Sequence, residues 1–275
     1  MIRLTYVVRG VVALAIALSS VTAAAQQPAP ETRKPETQQP FEPVSGQSGK
    51  DVVWVPTPQP TVDKMLELTK VGAKDYVIDL GSGDGITVIT AAKKGATALG
   101  VEFNPEMVEL AKKRATAAGV ADKATFVQGD LFEADLSKAT VITLFLLPDI
   151  NRRLLPKLLD LAPGTRIASN TFDMGDWEPD AKETSTDCTQ WCTALYWVVP
   201  AKVGGTWQLG GQTLTLEQKY QVVTGTLGGK PITGKLNGAD ITFTAGNRTY
   251  AGTVNGTTIS GNNWSATKRQ AAASR

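Results

Sequence analysis

Three glycines at alternate positions, directly after a short apolar run, constrain this chain more than any other feature of its sequence. The run Y-V-I-D-L-G-S-G-D-G occupies residues 76–85. An apolar run of this length that ends in glycine predicts a buried parallel strand turning sharply into a helix, here over about residues 85–94. Glycine permits positive φ and lets a ligand lie against bare backbone. The motif therefore predicts an α/β fold with a ligand site where this strand ends.

The spacing of the glycines bears on the kind of ligand. A dinucleotide fingerprint requires G-x-G-x-x-G, but its last position falls on Ile86, whereas D-x-G-x-G-x-G is complete from Asp79 to Gly85. This pattern resembles the first motif of the class I S-adenosylmethionine (SAM) methyltransferases. The resemblance implies that Asp79 binds the ammonium group of SAM and that the loop holds its methionine end. The loop residues concerned are Gly81, Ser82, Gly83 and Gly85.

Two further acids follow the next two apolar runs. Glu102 ends the run at residues 96–102, one strand, loop and helix after Asp79, where a carboxylate can accept both ribose hydroxyls. Asp130 follows the run at residues 124–128, where it can accept the adenine amine while Leu131 packs on the ring. The sequence therefore predicts that three acids at three strand ends converge on one nucleoside.

The remaining apolar runs complete a sheet. Two more strands are predicted at residues 140–147 and 166–170, with a helix at 151–161 that is kinked or restarted at Pro156. The runs at 181–186 and 193–199 are joined by so short a segment that they must pair antiparallel. Five crossover strands and a final hairpin form the Rossmann-like seven-stranded methyltransferase sheet, with helices on both faces.

The N-terminus reads as a targeting segment. Arg3 and Arg9 precede an apolar run at residues 11–18, and Ala23 and Ala25 fit an A-x-A cleavage site. We therefore expect a signal peptide at residues 1–25 and a periplasmic protein, the alternative being an uncleaved membrane anchor. Residues 26–50, rich in Pro and Gln, are expected to be a disordered linker. No transmembrane helix is expected in the mature chain.

Export changes the interpretation of the two cysteines. Cys188 and Cys192 are the only two, and in an oxidising compartment an even count favours a disulfide over two free thiols. No metal site is expected, because two thiols cannot close a zinc site and the chain has no histidine. A net charge of +2 gives no reason to expect a nucleic-acid partner, and the sequence leaves the oligomeric state open.

Composition changes after the predicted sheet. The methyltransferase domain is expected at residues 51–202, a small antiparallel all-β domain at 203–268 and a tail at 269–275. Alternating apolar residues and the hairpin signals Asn237-Gly238 and Asn255-Gly256 predict six to eight short strands in a meander or barrel. We identify no chemistry in this domain.

Several short motifs together resemble one subfamily. W-V-P-T-P at residues 54–58, the glycine motif, G-V-E at 100–102 and L-L-P at 146–148 are similar to lysine methyltransferases related to those that modify mitochondrial inner-membrane proteins. The resemblance implies a methyl acceptor that is a protein lysine, and we expect the acceptor to enter at the end of the fourth strand. Because the chain has no histidine, any base would be a carboxylate, a backbone carbonyl or water, and Asp149 is the candidate. The pocket residues implied are Trp54, Thr57, Leu147 and Pro148.

Three other functions remain open on the sequence alone. An exported protein cannot carry SAM through a secretion channel, so a binding protein that keeps the fold without methyl transfer is the main alternative. A nicotinamide oxidoreductase is disfavoured by Ile86 and Asp130. A structural envelope protein acting through its β domain is the third.

Overall fold

The computed structural model describes Thr5, Gly10 and residues 41–269. The predicted signal peptide and most of the predicted linker lie outside the described residues. The first seven strands form one sheet in the order β3-β2-β1-β4-β5-β7-β6. β1 to β5 run parallel, and β7 is antiparallel to both β5 and β6, as the sequence predicts. The bounds are β1 Tyr76–Leu80, β2 Thr97–Glu102, β3 Ala124–Gln128, β4 Val141–Leu144, β5 Arg166–Asn170, β6 Ala181–Thr184 and β7 Thr193–Val198.

Helices cover both faces of this sheet. Side chains alternate between the faces along β1, so that Val77 packs under three of the helices and Ile78 packs under the fourth. Within residues 41–269, no helix combines the length and the apolar character needed to cross a bilayer. The helices are α1 Gln59–Leu68, α2 Ile86–Lys93, α3 Pro105–Ala117 and α4 Pro148–Leu159.

The start of α4 differs from the sequence prediction. β4 ends at Leu144, and α4 begins at Pro148 and continues without a break through Pro156. Proline favours the first turn of a helix, which makes Leu147 the N-cap residue. Pro156 is on the exposed side of α4, where water can satisfy the carbonyl that loses its helical partner. The predicted restart at Pro156 was therefore wrong.

The remaining eight strands close into a barrel, which confirms the predicted antiparallel β domain. Asn237-Gly238 and Asn255-Gly256 are hairpin turns, with glycine φ angles of 61° and 56°. Alternate residues point inward and fill the barrel, including Trp207 and Phe243. The strands are β8 Gly205–Leu209, β9 Gln212–Lys219, β10 Val222–Leu227, β11 Lys230–Asn237, β12 Asp240–Ala245, β13 Arg248–Asn255, β14 Thr258–Gly261 and β15 Trp264–Lys268.

The barrel packs tightly against the sheet domain, and both belong to one compact unit. The ring of Tyr220, in the turn between β9 and β10, stacks on the fully buried Trp177 with ring centroids 5.9 Å apart. Gln221 Nε2 donates to the carbonyl of Glu178 at 2.8 Å. Ala201 N donates to the carbonyl of Gly238 at 2.8 Å. The two parts therefore share an interface that combines an aromatic stack with hydrogen bonds.

The end of the predicted linker makes specific contacts with the rest of the chain. Gly46 N donates to the carbonyl of Trp54 at 2.8 Å, and Trp54 N donates to the carbonyl of Gln47 at 2.9 Å. Lys50 is ion-paired with Asp130. These contacts fix residues 47–57, which we call the strap, over the carboxyl ends of the parallel strands. The composition of the linker could not predict these contacts, because Trp54 lies beyond the linker and Asp130 is 80 residues away from Lys50.

Candidate active site

A cavity opens at the carboxyl ends of β1, β2 and β4, beneath the strap. Protein atoms leave about 990 Å³ free there, including the opening to solvent. In parallel α/β sheets this edge is where ligands bind. The three acids predicted to share a ligand, Asp79, Glu102 and Asp130, all line this one cavity. The sheet therefore brings together residues that are up to 51 positions apart in the sequence.

The glycine loop has the positive φ angles that its sequence predicts, 75° at Gly81, 51° at Gly83 and 83° at Gly85. The carbonyl of Val101 in β2 accepts hydrogen bonds from the N–H groups of Gly81 and Ser82, at 2.9 and 3.1 Å. Gly83 leaves room for the indole of Trp54, since a Cβ there would lie 2.5 Å from Trp54 Nε1. The strap therefore packs against the glycine loop at Gly83, and the loop still lines the cavity.

Two of the loop residues pack closely against other parts of the fold. Gly85 lies outside the cavity as the N-cap of α2, and a Cβ there would lie 2.8 Å from the ring of Phe126. Ser82 lines the cavity, but its hydroxyl packs over Gly100, where a Cβ would lie 2.5 Å from Ser82 Oγ. Among the described residues this hydroxyl has no hydrogen-bond partner. Sequence spacing did not single out Gly100, although its small size lets the loop approach β2.

Asp79 is a buried carboxyl at the floor of the cavity, with 6% of its surface exposed. The net pKa of Asp79 is raised to about 7. Burial is the largest cause of the rise, the hydrogen bond from Thr143 opposes it, and the carboxylates of Glu102 and Asp84 add to it. Thr143 Oγ1 donates to Asp79 Oδ1 at 2.6 Å. A carboxylate in this position gains from a cationic ligand, because the ligand supplies the charge that burial removes from water.

Glu102 binds the glycine loop through both of its carboxylate oxygens. Gly83 N donates to Oε2 and Asn104 N donates to Oε1, each at 2.9 Å. A carboxylate has about four lone-pair sites, so two remain for hydroxyl donors of a ligand. Asn104 in turn is the N-cap of α3 and accepts from Glu106 N at 2.8 Å, as its position before Pro105 predicts. The acid is therefore oriented by the loop on one side and by α3 on the other.

Asp130 already has partners at the far end of the cavity. Phe132 N donates to Asp130 Oδ1 at 2.8 Å, and Lys50 Nζ of the strap donates to Oδ2. Both bonds hold the pKa of Asp130 below its ordinary value, and the bond from Lys50 has the larger effect. The Lys50 ammonium also lies 5.2 Å from the ring centroid of Phe103. An adenine amine that binds Asp130 must therefore share this carboxylate with Lys50 or displace it.

The acceptor residues implied by the sequence divide into two groups. Trp54 and Thr57 line the cavity. Leu147, Pro148 and Asp149 do not, because β4 ends early and α4 carries them outward. The Asp149 side chain is 86% exposed and is paired with Arg152 on its own helix. The structure therefore places the candidate base and half of the predicted pocket residues outside this cavity.

Two residues that line the cavity near the end of β4 were not predicted from the sequence. Phe145 and Leu146, which follow β4, line the cavity where Leu147 and Pro148 were expected. Phe103, next to Glu102, and Lys50, in the predicted linker, also line the cavity and were not predicted. Phe103 could have been selected from the sequence, because it directly follows an acid at a predicted strand end. Its ring is exposed in the structure, and an exposed large apolar side chain beside a cavity indicates a binding surface.

The residues present fit SAM. SAM carries an ammonium, a sulfonium and one carboxylate, and the cavity presents Asp79, Asp84, Glu102 and Asp130. Asp84 is paired with Arg114, so its charge is compensated, whereas Asp79 has no cation among the described residues. The uncompensated buried acid matches the cationic end of the ligand. Glu102 and Leu131 both line the cavity, in agreement with the prediction that Glu102 binds the ribose and that Leu131 packs on the adenine.

Comparisons with known proteins agree with this geometry. A family model described as the ANTKMT methyltransferase domain matches residues 79–181. A protein-lysine N-methyltransferase of Saccharolobus islandicus (strain REY15A) is 47% identical over 131 residues, which are 46% of this chain and 81% of that protein. The adenine nucleotide translocase lysine N-methyltransferase of Mus musculus is 34% identical over 122 residues, 44% of this chain and 53% of that protein.

A solved structure matches the same fold. The RNA methyltransferase of Salinibacter ruber, in complex with S-adenosyl-L-homocysteine (SAH), is 49% identical with a TM-score of 0.51, over 54% of this chain and 96% of that chain. The barrel lies beyond the residues that the family model matches. The chain therefore belongs to the family of the ANTKMT methyltransferase domain, and it is a SAM-dependent methyltransferase of the class I fold.

Proposed function

We propose that this enzyme transfers a methyl group to a lysine amine of a protein and that it does so in an exported form. The observation that carries the proposal is the single cavity in which Asp79, Glu102 and Asp130 meet under the strap. The lysine acceptor is supported by relatives that bear lysine methyltransferase names, among them the two described above. Export is supported by the N-terminal pattern and by the Cys188–Cys192 disulfide.

The residues of the cavity divide the work of binding. Asp79 neutralises the positive end of the cofactor, Glu102 takes the ribose hydroxyls, and Asp130 with Leu131 takes the adenine. SAM, when bound, supplies a methyl group activated by a sulfonium. The strap keeps water out and, through Trp54, holds the glycine loop in place. Positioning of this kind accounts for most of the rate of a displacement reaction.

A lysine ammonium must lose a proton before it can act as a nucleophile. The chain has no histidine, and Asp149 lies outside the cavity. We propose that the proton leaves to water at the cavity mouth, with no dedicated side-chain base. The rate of transfer should then rise with pH over the range in which a lysine amine deprotonates.

Replacing Glu102 by Ala tests the ribose assignment. We expect SAM binding to weaken by about 1–3 kcal/mol, because hydrogen bonds to a charged acceptor are lost. The fold should survive, since Gly83 N and Asn104 N can turn to water in the half-buried position that Glu102 leaves. Titration calorimetry with SAM measures the change. Glu106→Ala, which removes an exposed acid near the cavity, is the matched control and should bind SAM normally.

The acceptor class is tested by methyl transfer from labelled SAM to envelope proteins and, separately, to RNA. We expect the label in protein, released as methyllysine after acid hydrolysis. The Asp79→Asn variant gives the background. Label in RNA alone would overturn the lysine proposal and would leave the methyltransferase activity intact.

Export predicts a specific mature protein. In cell fractions we expect the chain in the periplasm, beginning at Gln26, with Cys188 joined to Cys192. Mass spectrometry of the intact protein and of a non-reduced digest measures both features. A cytosolic chain that still begins at Met1 and has two free thiols would refute the export proposal.

A further inference from the structure

A second cleft opens beside the cofactor cavity. One wall is the loop between β6 and β7, at residues 187–191, and the other is formed by Ser45, Val55, Pro56 and Pro58. Val55 and Pro56 line the cofactor cavity as well, so the two spaces meet at this dipeptide of the strap. The cleft has about 690 Å³ of free space, including its opening, which suits a side chain with adjoining backbone.

Three aromatic rings connect the two spaces. Phe145 lines the cofactor cavity and stacks on Phe172, with ring centroids 6.0 Å apart. Trp191 contacts both rings, at 5.8 and 5.5 Å, and also lines the second cleft, where 37% of its surface is exposed. Aromatic faces attract alkylammonium groups and pack against methylene chains. Trp191 therefore offers an aromatic surface in the cleft that suits a lysine side chain, and it packs against the ring of Phe145 in the cofactor cavity.

The loop that carries Trp191 is held at several points. Trp191 has φ +58°, an uncommon conformation for a bulky residue, and its carbonyl accepts a hydrogen bond from Thr61 Oγ1 at 2.9 Å. Cys188 and Cys192 enclose it in a disulfide. Ser185 Oγ donates to the carbonyl of Pro60 at 3.0 Å, which ties the loop to the start of α1. The indole is thus fixed by a covalent link and by α1.

The charge of the cleft favours a cation. Asp187 is the one acidic or basic side chain among the described residues that line it. The prolines of the opposite wall have no N–H groups and keep the strap extended. A cationic side chain entering the cleft meets the Asp187 carboxylate and the Trp191 ring, and it lies beside the cofactor cavity, which shares Val55 and Pro56 with the cleft.

We propose that this cleft receives the lysine of an extended protein segment, that Trp191 contacts its side chain, and that the disulfide is the element that positions Trp191. The proposal rests on the proposed function and adds to it a site for the acceptor. It replaces the expected entry beside Leu147 and Pro148, which lie outside both spaces. Acceptor binding should accordingly depend on the oxidised state of the loop, whereas cofactor binding should not.

Peptide binding to the enzyme saturated with SAH tests the proposal. The ligand is acetyl-Gly-Gly-Lys-Gly-Gly-amide at millimolar concentration, with norleucine in place of lysine as the control peptide. We expect the lysine peptide to shift the indole N–H resonance of Trp191, assigned with Trp191→Phe, and the norleucine peptide to shift it far less. Trp191→Ala should weaken peptide binding about tenfold and Trp191→Phe should restore most of it. A Cys188→Ser, Cys192→Ser double variant should weaken it about fivefold or more.

Affinity for SAH separates this proposal from the assignment of the cofactor. All the variants should bind SAH within about twofold of the wild type, which also shows that they are folded. Peptide binding that is unchanged in Trp191→Ala would overturn the acceptor site, and binding unchanged in the double variant would overturn the role of the disulfide. Failure of the wild type itself to bind SAH would overturn the proposed function instead.

Discussion

Replacing Asp79 by Asn should stabilise the free enzyme at pH 8 and nearly abolish SAM binding. Asp79 is buried with a pKa raised to about 7, so above that pH the fold holds an ionised carboxylate away from water. Asn removes that cost, on the order of 2–4 kcal/mol, which corresponds to a melting temperature higher by several degrees. The same change removes the charge that binds the ammonium, and we expect SAM affinity to fall by about 100-fold or more.

The pH dependence has a definite sign. Between about pH 4 and 7 the folded state holds a proton on Asp79 that the unfolded chain gives up, so stability falls as pH rises through this range. The advantage of the Asn variant should therefore be largest at pH 8 and should shrink toward pH 5. Calorimetric melting at the two pH values, together with SAM titration, measures both effects. A variant that melts lower at pH 8 and still binds SAM would contradict this account of the site.

Asp75 provides a matched control in the turn that leads into β1. Partial burial raises the pKa of Asp75, but hydrogen bonds from Gly72 and Thr140 and the guanidinium of Arg166 hold it below the ordinary value. Its ionised form therefore stabilises the fold at neutral pH, and this contribution is lost as pH falls through the folded pKa. Asp75→Asn should lower the melting temperature at pH 8 and leave SAM affinity unchanged, the opposite of Asp79→Asn in both respects.

Deleting residues 204–275 should prevent the sheet domain from folding stably. The barrel covers Trp177, and its removal uncovers this ring together with the apolar residues at the end of β7. Each large side chain returned to water costs roughly 1.5–3 kcal/mol, and domains of this kind are stable by only about 5–15 kcal/mol. We expect the shortened chain to aggregate or to melt far below the full chain, as circular dichroism on heating would show.

A single substitution in the full chain tests the contact between the barrel and the sheet domain without deleting the barrel. Tyr220→Asn removes the ring that stacks on Trp177, and Asn tolerates the positive φ of 53° at this position. We expect one cooperative transition at a lower temperature, with SAM affinity retained. A shortened chain that melts and binds SAM like the full chain would show that the barrel is an independent appendage.

The sheet and its three acids were predictable because both signals are local. Buried parallel strands are continuous apolar runs, and the carboxyl ends of such strands meet at one edge. Asp79, Glu102 and Asp130 each follow such a run, so their convergence required only the correct strand order. The antiparallel hairpin was predictable for the same reason, since the short connection allows one pairing, and its disulfide followed from the even number of cysteines in a chain expected to be exported.

The acceptor side could not be predicted from the same signals. The apolar run that contains β4 extends to Leu147, and its composition does not show that the strand ends three residues earlier. The strap depends on contacts between remote segments, such as Lys50 with Asp130 and Trp54 with Gly83. A polar, proline-rich composition predicts disorder when such partners are not known.

The closed barrel also bears on how the protein behaves when crowded. Every barrel strand is paired on both sides, so none offers free backbone groups to another chain. The sheet has two edge strands: β6 is only four residues long and carries Lys182 and Glu183, whereas β3 is five residues long and uncharged. Short charged edges discourage intermolecular strand addition. In concentrated solutions the barrel should accordingly take no part in strand addition between chains, and β3 is the edge at which such addition would begin.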